Sequence, residues 1–178
     1  MSFLELAKKR RSCRKYAEQS VPEEALERCL EVARLAPSAC NSQPWKFIVV
    51  QDPVLRNQLA EKAFSGIYAM NQFARQAPAL VVVIREDSKP AAQVGQMIQG
   101  TQYNLIDLGI ACEHFVLQAE EEGLGTCFLG WFDAKQTKKV LSIPKRKKVD
   151  LIISVGYALK KPDTEKVRKE LEQIREIR

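Results

Sequence analysis

The stretch Ala36-Pro37-Ser38-Ala39-Cys40-Asn41-Ser42-Gln43-Pro44-Trp45 lies between a segment with helical periodicity and an apolar, strand-like run, and has the periodicity of neither. Two prolines bracket small polar residues whose side chains hydrogen-bond to nearby backbone and favour turns over helix. The residue before each proline is pushed towards extended geometry, so Ala36 should end the helix and Gln43 should lead into the strand. A connection this small and polar leaves room for a flat, hydrogen-bonding molecule to lie against it.

Upstream, Ser20 reads as an N-cap, with Pro22 in the first turn and Glu23 completing a capping box. Leu26, Cys29, Leu30, Ala33 and Ala36 form the buried stripe of that helix. Before it, Ser2 to Arg10 is a short helix with Phe3, Leu4 and Ala7 on one face, running into the basic patch Arg10-Arg11-Ser12-Cys13-Arg14-Lys15-Tyr16. Downstream, Lys46 to Gln51 is a strand and Asp52-Pro53 opens another helix. Phe64 to Arg75 has weak helical character, and Ala79 to Ile84 is a continuous apolar run expected of a strand covered on both faces.

Gln93 to Glu122 reads as a long helix with a possible break at Gly100. Leu105, Leu108, Cys112, Phe115, Val116 and Ala119 lie on its inner side, with His114 opposite. Gly123-Leu124-Gly125 ends it. Thr126 to Trp131 is a short strand and turn, Asp133 caps a helix to about Leu141, Val149 to Ala158 is a strand, and the tail from Asp163 to Arg178 has helical periodicity. Strands placed between helices in this way indicate an α/β or α+β sandwich, a central sheet covered by helices.

A chain of 178 residues with 46% hydrophobic and 28% charged residues is expected to fold as one globular domain. Its longest clean apolar run is strand-sized, so no membrane span is expected. The first residues lack a secretory pattern, which makes the cytoplasm the expected compartment. The five cysteines show no metal-ligand spacing, and with a single histidine a zinc site is not expected. The net charge of +6 owes much to Lys135, Lys138, Lys139, Lys145, Arg146, Lys147 and Lys148. That run lacks interleaved aromatics and any recognition motif, so it reads as a solvated surface rather than a nucleic-acid site.

No nucleophile–base pair stands out, and there is no GxSxG, HExxH, Walker loop or GxGxxG. Any chemistry therefore has to come from a cofactor. Arg10, Arg11, Ser12 and Arg14 offer guanidinium forks and a hydroxyl suited to phosphate oxygens, and Arg168-Lys169 adds a second basic pair. Small-residue backbone at 38–41 and 125–130 could approach a ring closely.

Four pieces, in order, resemble the flavin-dependent nitroreductase family: Arg10 to Tyr16, Ala36 to Phe47, Gly123 to Phe128, and Gly156-Tyr157 followed by Arg168-Lys169. The resemblance runs almost the full length. It implies an α+β fold over residues 1–178, with a mixed or antiparallel central sheet covered by helices, in an intertwined homodimer holding FMN at the subunit interface. Carried over, Arg10, Arg11 and Ser12 would bind the phosphate and ribityl chain, and Arg14 would lie near the pyrimidine edge of the ring. Pro37, Ser38, Ala39 and Asn41 would reach the cofactor from the other subunit. Asn71 would meet the ring's polar edge, Leu129 and Gly130 would offer backbone near N5, and Arg168 with Lys169 would close on the phosphate.

Some members of the family carry an acidic residue where this chain has Gly130. Longer members also have a helical insertion after the position of Ile84 that shapes the substrate pocket. The implied activity is transfer of hydride from NADH or NADPH, through the flavin, to an electron-poor small molecule such as a nitroaromatic or quinone, with no side chain acting as acid or base. The alternatives on the same fold are reductive dehalogenation, flavin fragmentation and reduction of a small unsaturated compound. A basic nucleic-acid-binding module is the alternative from another class.

Overall fold

A computed structural model describes residues 1–160 and 166–178. Its centre is a four-stranded antiparallel sheet in the order β1-β2-β4-β3, formed by β1 (Trp45–Val50), β2 (Ala79–Arg85), β3 (Gly125–Leu129) and β4 (Lys148–Gly156). Every residue of β2 from Ala79 to Ile84 is buried, as an unbroken apolar run requires when both sheet faces are covered. The alternation of strand side chains divides the core. Leu80, Val82 and Ile84 pack with Leu59, Phe64 and Ile152 on one face. Ala79, Val81 and Val83 pack with Leu26, Cys29, Cys112 and Phe115 on the other.

The covering helices are α1 (Phe3–Lys9), α2 (Glu23–Arg34), α3 (Pro53–Ala63), α4 (Pro90–Gln99), α5 (Tyr103–Glu121) and α6 (Ala134–Val140). Asp52 and Asp133 cap α3 and α6 as their sequences indicate, accepting from the N–H groups of Leu55 and of Lys135 and Gln136. Together these elements make an α+β fold, with a parallel bridge between Ser12 and Thr126 adding mixed character at the β3 edge.

The local readings needing correction are instructive. Ser20 does not cap α2. Val21 is buried and its carbonyl accepts from Gln51 Nε2 at 2.8 Å, so the chain stays tied to its neighbour until Pro22, and the helix starts at Glu23. Gln43 is not extended: its φ is 48°, held by a bond from its N–H to Ser38 Oγ and another from its amide to Asn41 Oδ1, each 2.9 Å. The segment Gly66–Gln76 is a run of 3₁₀ turns rather than α-helix. The long helix begins at Pro90 and breaks at Gly100, which takes φ 67° to cap α4. Leu105 is 38% exposed rather than buried.

The tail expectation fails over its described part. Residues 163–165 lie outside the described residues, and beyond them only Leu171–Gln173 forms a 3₁₀ turn. Leu171, Ile174 and Ile177 stay exposed, so the amphipathic face has nothing in its own chain to pack against, and such packing is what stabilises a short helix.

Candidate functional site

The basic segment after α1 is held in place by backbone bonding. Arg10 caps α1 by donating its N–H to the Leu6 carbonyl. The Cys13 N–H donates to the Thr126 carbonyl at 2.8 Å, Ala17 N–H to the Tyr157 carbonyl, and Leu159 N–H to the Lys15 carbonyl. Residues 12–17 are thus laced between β3 and the chain leaving β4. Two glycines permit this contact: a Cβ on Gly125 would lie 2.7 Å from Cys13 Cβ, and one on Gly156 would lie 2.9 Å from Tyr16 Cδ1. The Tyr16 hydroxyl lies 2.7 Å from Ser154 Oγ and bonds to the Cys13 carbonyl, anchoring the segment to the core.

A cavity of about 720 Å³ opens beside this segment, bordered by Arg11, Ser12, Arg14, Lys8 and Gly125, with Glu120 on its rim. Glu120 contacts Lys9 at 3.7 Å. The C-terminal tail returns to the same place. Lys166 Nζ donates to the Ala7 carbonyl. Desolvation pushes its ammonium below the ordinary lysine value, and the charges of Arg10, Arg168 and Arg11 push it the same way. Positive charge from both ends of the chain is therefore felt at one lysine, and a bound anion would relieve it. A dianionic phosphate fits that donor set.

Lys166 was not among the residues singled out from sequence; Lys169 was. Lys169 is exposed, and no ion pair or hydrogen bond ties it to the cluster among the described residues. Lys166 stands two residues before Arg168 in a segment whose sequence reads as helical, so no local signal grouped the two.

At the other end of β3, Asn71 Nδ2 donates to the Trp131 carbonyl at 2.9 Å, and Trp131 Nε1 donates to the Ile67 carbonyl. Asn71 thus lies beside the segment containing Leu129 and Gly130. Leu129 is buried, whereas Gly130 is exposed with open space where a Cβ would stand. The Asn71 and Arg14 groups bracket β3, whose first and last residues are about 13 Å apart at strand rise.

Pro37, Ser38, Ala39 and Asn41 are not brought to this cluster by their own chain. The Ala39 N–H donates to Asp107 Oδ1 at 3.0 Å, near the start of α5, while Lys9 meets Glu120 near its end. Thirteen helical residues separate Asp107 from Glu120, about 20 Å at 1.5 Å per residue. The loop is also strained: Cys40, Asn41 and Gln43 have φ of 52°, 51° and 48°, a left-handed region costing on the order of 1–2 kcal/mol for each residue with a Cβ.

Four of the five cysteines are held as thiols by burial. Burial pushes Cys29 and Cys112 up to about 12, and burial likewise raises Cys13 and Cys127. His114 is half-buried on α5, with Nδ1 3.0 Å from the Ile110 carbonyl.

This arrangement defines a class. The Nitroreductase family description matches residues 7–157, and the chain belongs to that family. It is 29% identical to an iodotyrosine deiodinase of Thermotoga neapolitana, over 86% of this chain and 87% of that one. It is 28% identical to an NADH dehydrogenase of Thermus thermophilus, over 85% and 84%. Among solved structures, an FMN-dependent nitroreductase from Clostridium difficile shares the fold with a TM-score of 0.71 and 29% identity, covering 96% of this chain and 94% of its own. The membership makes this protein an oxidoreductase of the nitroreductase type.

Proposed function

We propose that the protein is an FMN-dependent oxidoreductase that works as a homodimer, taking electrons from NADH or NADPH. The observation that carries this reading is the cavity of about 720 Å³ lined by Arg11, Ser12 and Arg14, beside which Lys166 of the tail bonds to the Ala7 carbonyl. Bound there, FMN would supply a ring that accepts hydride at N5 and passes it to an electron-poor acceptor such as a nitroaromatic or quinone.

The chain's own residues hold and tune. Arg10, Arg11, Ser12, Lys166 and Arg168 neutralise the phosphate, with Lys169 a peripheral charge. Arg14, on the cavity wall, puts positive charge beside the ring edge that becomes anionic on reduction. Asn71 and the backbone of Leu129 and Gly130 border the opposite ring edge. Pro37, Ser38, Ala39 and Asn41 come from the second copy, which the roughly 20 Å span of α5 favours over their own chain's site. The test is an absorption spectrum of freshly purified protein, followed by anaerobic addition of NADH or NADPH. A yellow protein bleached by either nicotinamide is expected; a colourless chain that takes up no FMN sinks the reading.

One observation favours a second reading, reductive dehalogenation on the same site: the similarity to an iodotyrosine deiodinase extends over 86% of the chain. Flavin that resists both nicotinamides, yet after chemical reduction is reoxidised by a halotyrosine, would select it.

A further inference from the structure

Asp107 is 4% exposed, and it is the group on which the strained loop rests. Its Oδ1 accepts the Ala39 N–H at 3.0 Å, while Oδ2 is buried without a hydrogen-bond partner among the described residues. A carboxylate so buried and half-satisfied is costly and contributes little to folding by itself. Its neighbour on α5, Ile106, is exposed, whereas Asp107 itself is turned into the protein against the 38–43 loop.

The loop above it carries three left-handed residues in four, Cys40, Asn41 and Gln43, none of them glycine. Such backbone persists only where surrounding bonds over-determine it. The supporting side-chain bonds are Ala39 N–H to Asp107 Oδ1, Gln43 N–H to Ser38 Oγ, the Gln43 amide to Asn41 Oδ1 and Lys89 N–H to Ser42 Oγ. Of these, only the first ties the loop to a buried side chain.

We infer that Asp107 is a positioning residue: from α5 it sets the 38–43 turn in the shape with which that turn closes on the flavin held by a second copy of the chain. The inference rests on the flavin reading and adds a residue that does not touch the cofactor. Asp107 stands about 20 Å along α5 from the basic cluster of its own protomer, so its effect is exerted in trans.

The test uses the full chain and FMN itself. Asp107→Ala should keep the wild-type dimer mass and far-UV spectrum and bind FMN at least about tenfold more weakly. Asp107→Asn, whose amide oxygen still accepts the Ala39 N–H, should stay within about threefold of wild type. Differently tagged Asp107→Ala and Arg10→Ala chains are then co-expressed and the mixed dimer purified. Action in trans gives that dimer one site with native Arg10 and a native partner turn, hence one tight FMN per dimer, although each parent dimer has none. Action in cis gives no tight site, and a merely structural role gives no rescue; either overturns the inference. So does wild-type FMN affinity in the Asp107→Ala dimer. If Asp107→Ala folds poorly, Ala39→Pro, which deletes the same N–H, takes its place in the mixed dimer. Wild-type chain that never takes up FMN instead sinks the flavin reading, a separable result.

Discussion

The Cys13 N–H donates to the Thr126 carbonyl at 2.8 Å, and this bond sets the basic segment alongside the first residues of β3. Cys13 then lies over Gly125, with no room for a methyl group between them. Gly125→Ala should push the segment away from the strand. An overpacked contact costs about 1–3 kcal/mol, so urea unfolding should show a loss of that size. FMN affinity should fall with it, because Arg11 and Ser12 move as part of the same segment; unchanged stability would mean that the segment yields without strain.

The phosphate cluster makes a stronger demand. A charge-assisted hydrogen bond contributes about 1.5–3 kcal/mol, or roughly ten- to a hundredfold in affinity. Arg10→Ala and Arg168→Ala should each weaken FMN binding by that factor in fluorescence titration, and Lys166→Ala should do the same. Lys169→Ala should change it little, since Lys169 is exposed and, unlike Arg168, is not among the charges that act on Lys166. Full flavin occupancy in both arginine variants would remove those residues from the site.

Lys166 also carries a pH signature. Its folded-state value is depressed below the ordinary 10.5 by desolvation and by Arg10, Arg168 and Arg11. Between the depressed value and 10.5 the unfolded chain holds more protons, so the apoprotein gains stability as pH rises through that window; below it the penalty is fully present. A bound phosphate restores the ammonium, so FMN binding within the window should take up protons. Titration calorimetry in buffers of different ionisation enthalpy at alkaline pH reads this directly. Lys166→Met should abolish the uptake.

Tyr16 links the site to the core through its hydroxyl, 2.7 Å from Ser154 Oγ and bonded to the Cys13 carbonyl at 2.9 Å. Tyr16→Phe leaves buried acceptors short of a donor and should cost about 1–3 kcal/mol in denaturant unfolding. Burial already holds the phenol far above its ordinary range, so no pH dependence near neutrality should accompany the loss.

The candidate segments 36–45 and 10–16 could be picked out because their composition is local: small polar side chains between prolines in one, clustered guanidiniums in the other. The strands were legible for a similar reason, since β2 is apolar at every position from Ala79 to Ile84 and admits little else. What sequence could not supply were choices made by distant contacts. Ser20 has the chemistry of a cap, but the Gln51 side chain holds Val21 out of the helix. Gln43 precedes a proline, yet two side-chain bonds turn it left-handed. Lys166 joins the cluster only because the tail crosses back over α1, which no local pattern announces. Asp107 meets the loop across 68 residues of sequence, a contact that no local pattern marks.

The exposed apolar residues carry the last prediction. Phe3 and Leu4 on α1 are 71% and 64% exposed, Ile106 on α5 is 51%, and Ile174 and Ile177 in the tail are 69% and 80%. Single exposed apolar side chains are ordinary, but the same pattern on two helices and a tail is what the proposed dimer would cover. The described part of the tail leaves its apolar residues equally uncovered, and a short helix without such packing is marginal. Ile106→Asp puts a charge into the α5 face and should shift the protein from dimer to monomer in sedimentation velocity. If the 38–43 turn meets its flavin across that interface, FMN should be lost in the same step, even though Arg10, Lys166 and Arg168 are untouched. A monomer that keeps FMN at wild-type affinity would show that one chain suffices to hold the cofactor, and the intersubunit site would have to be abandoned.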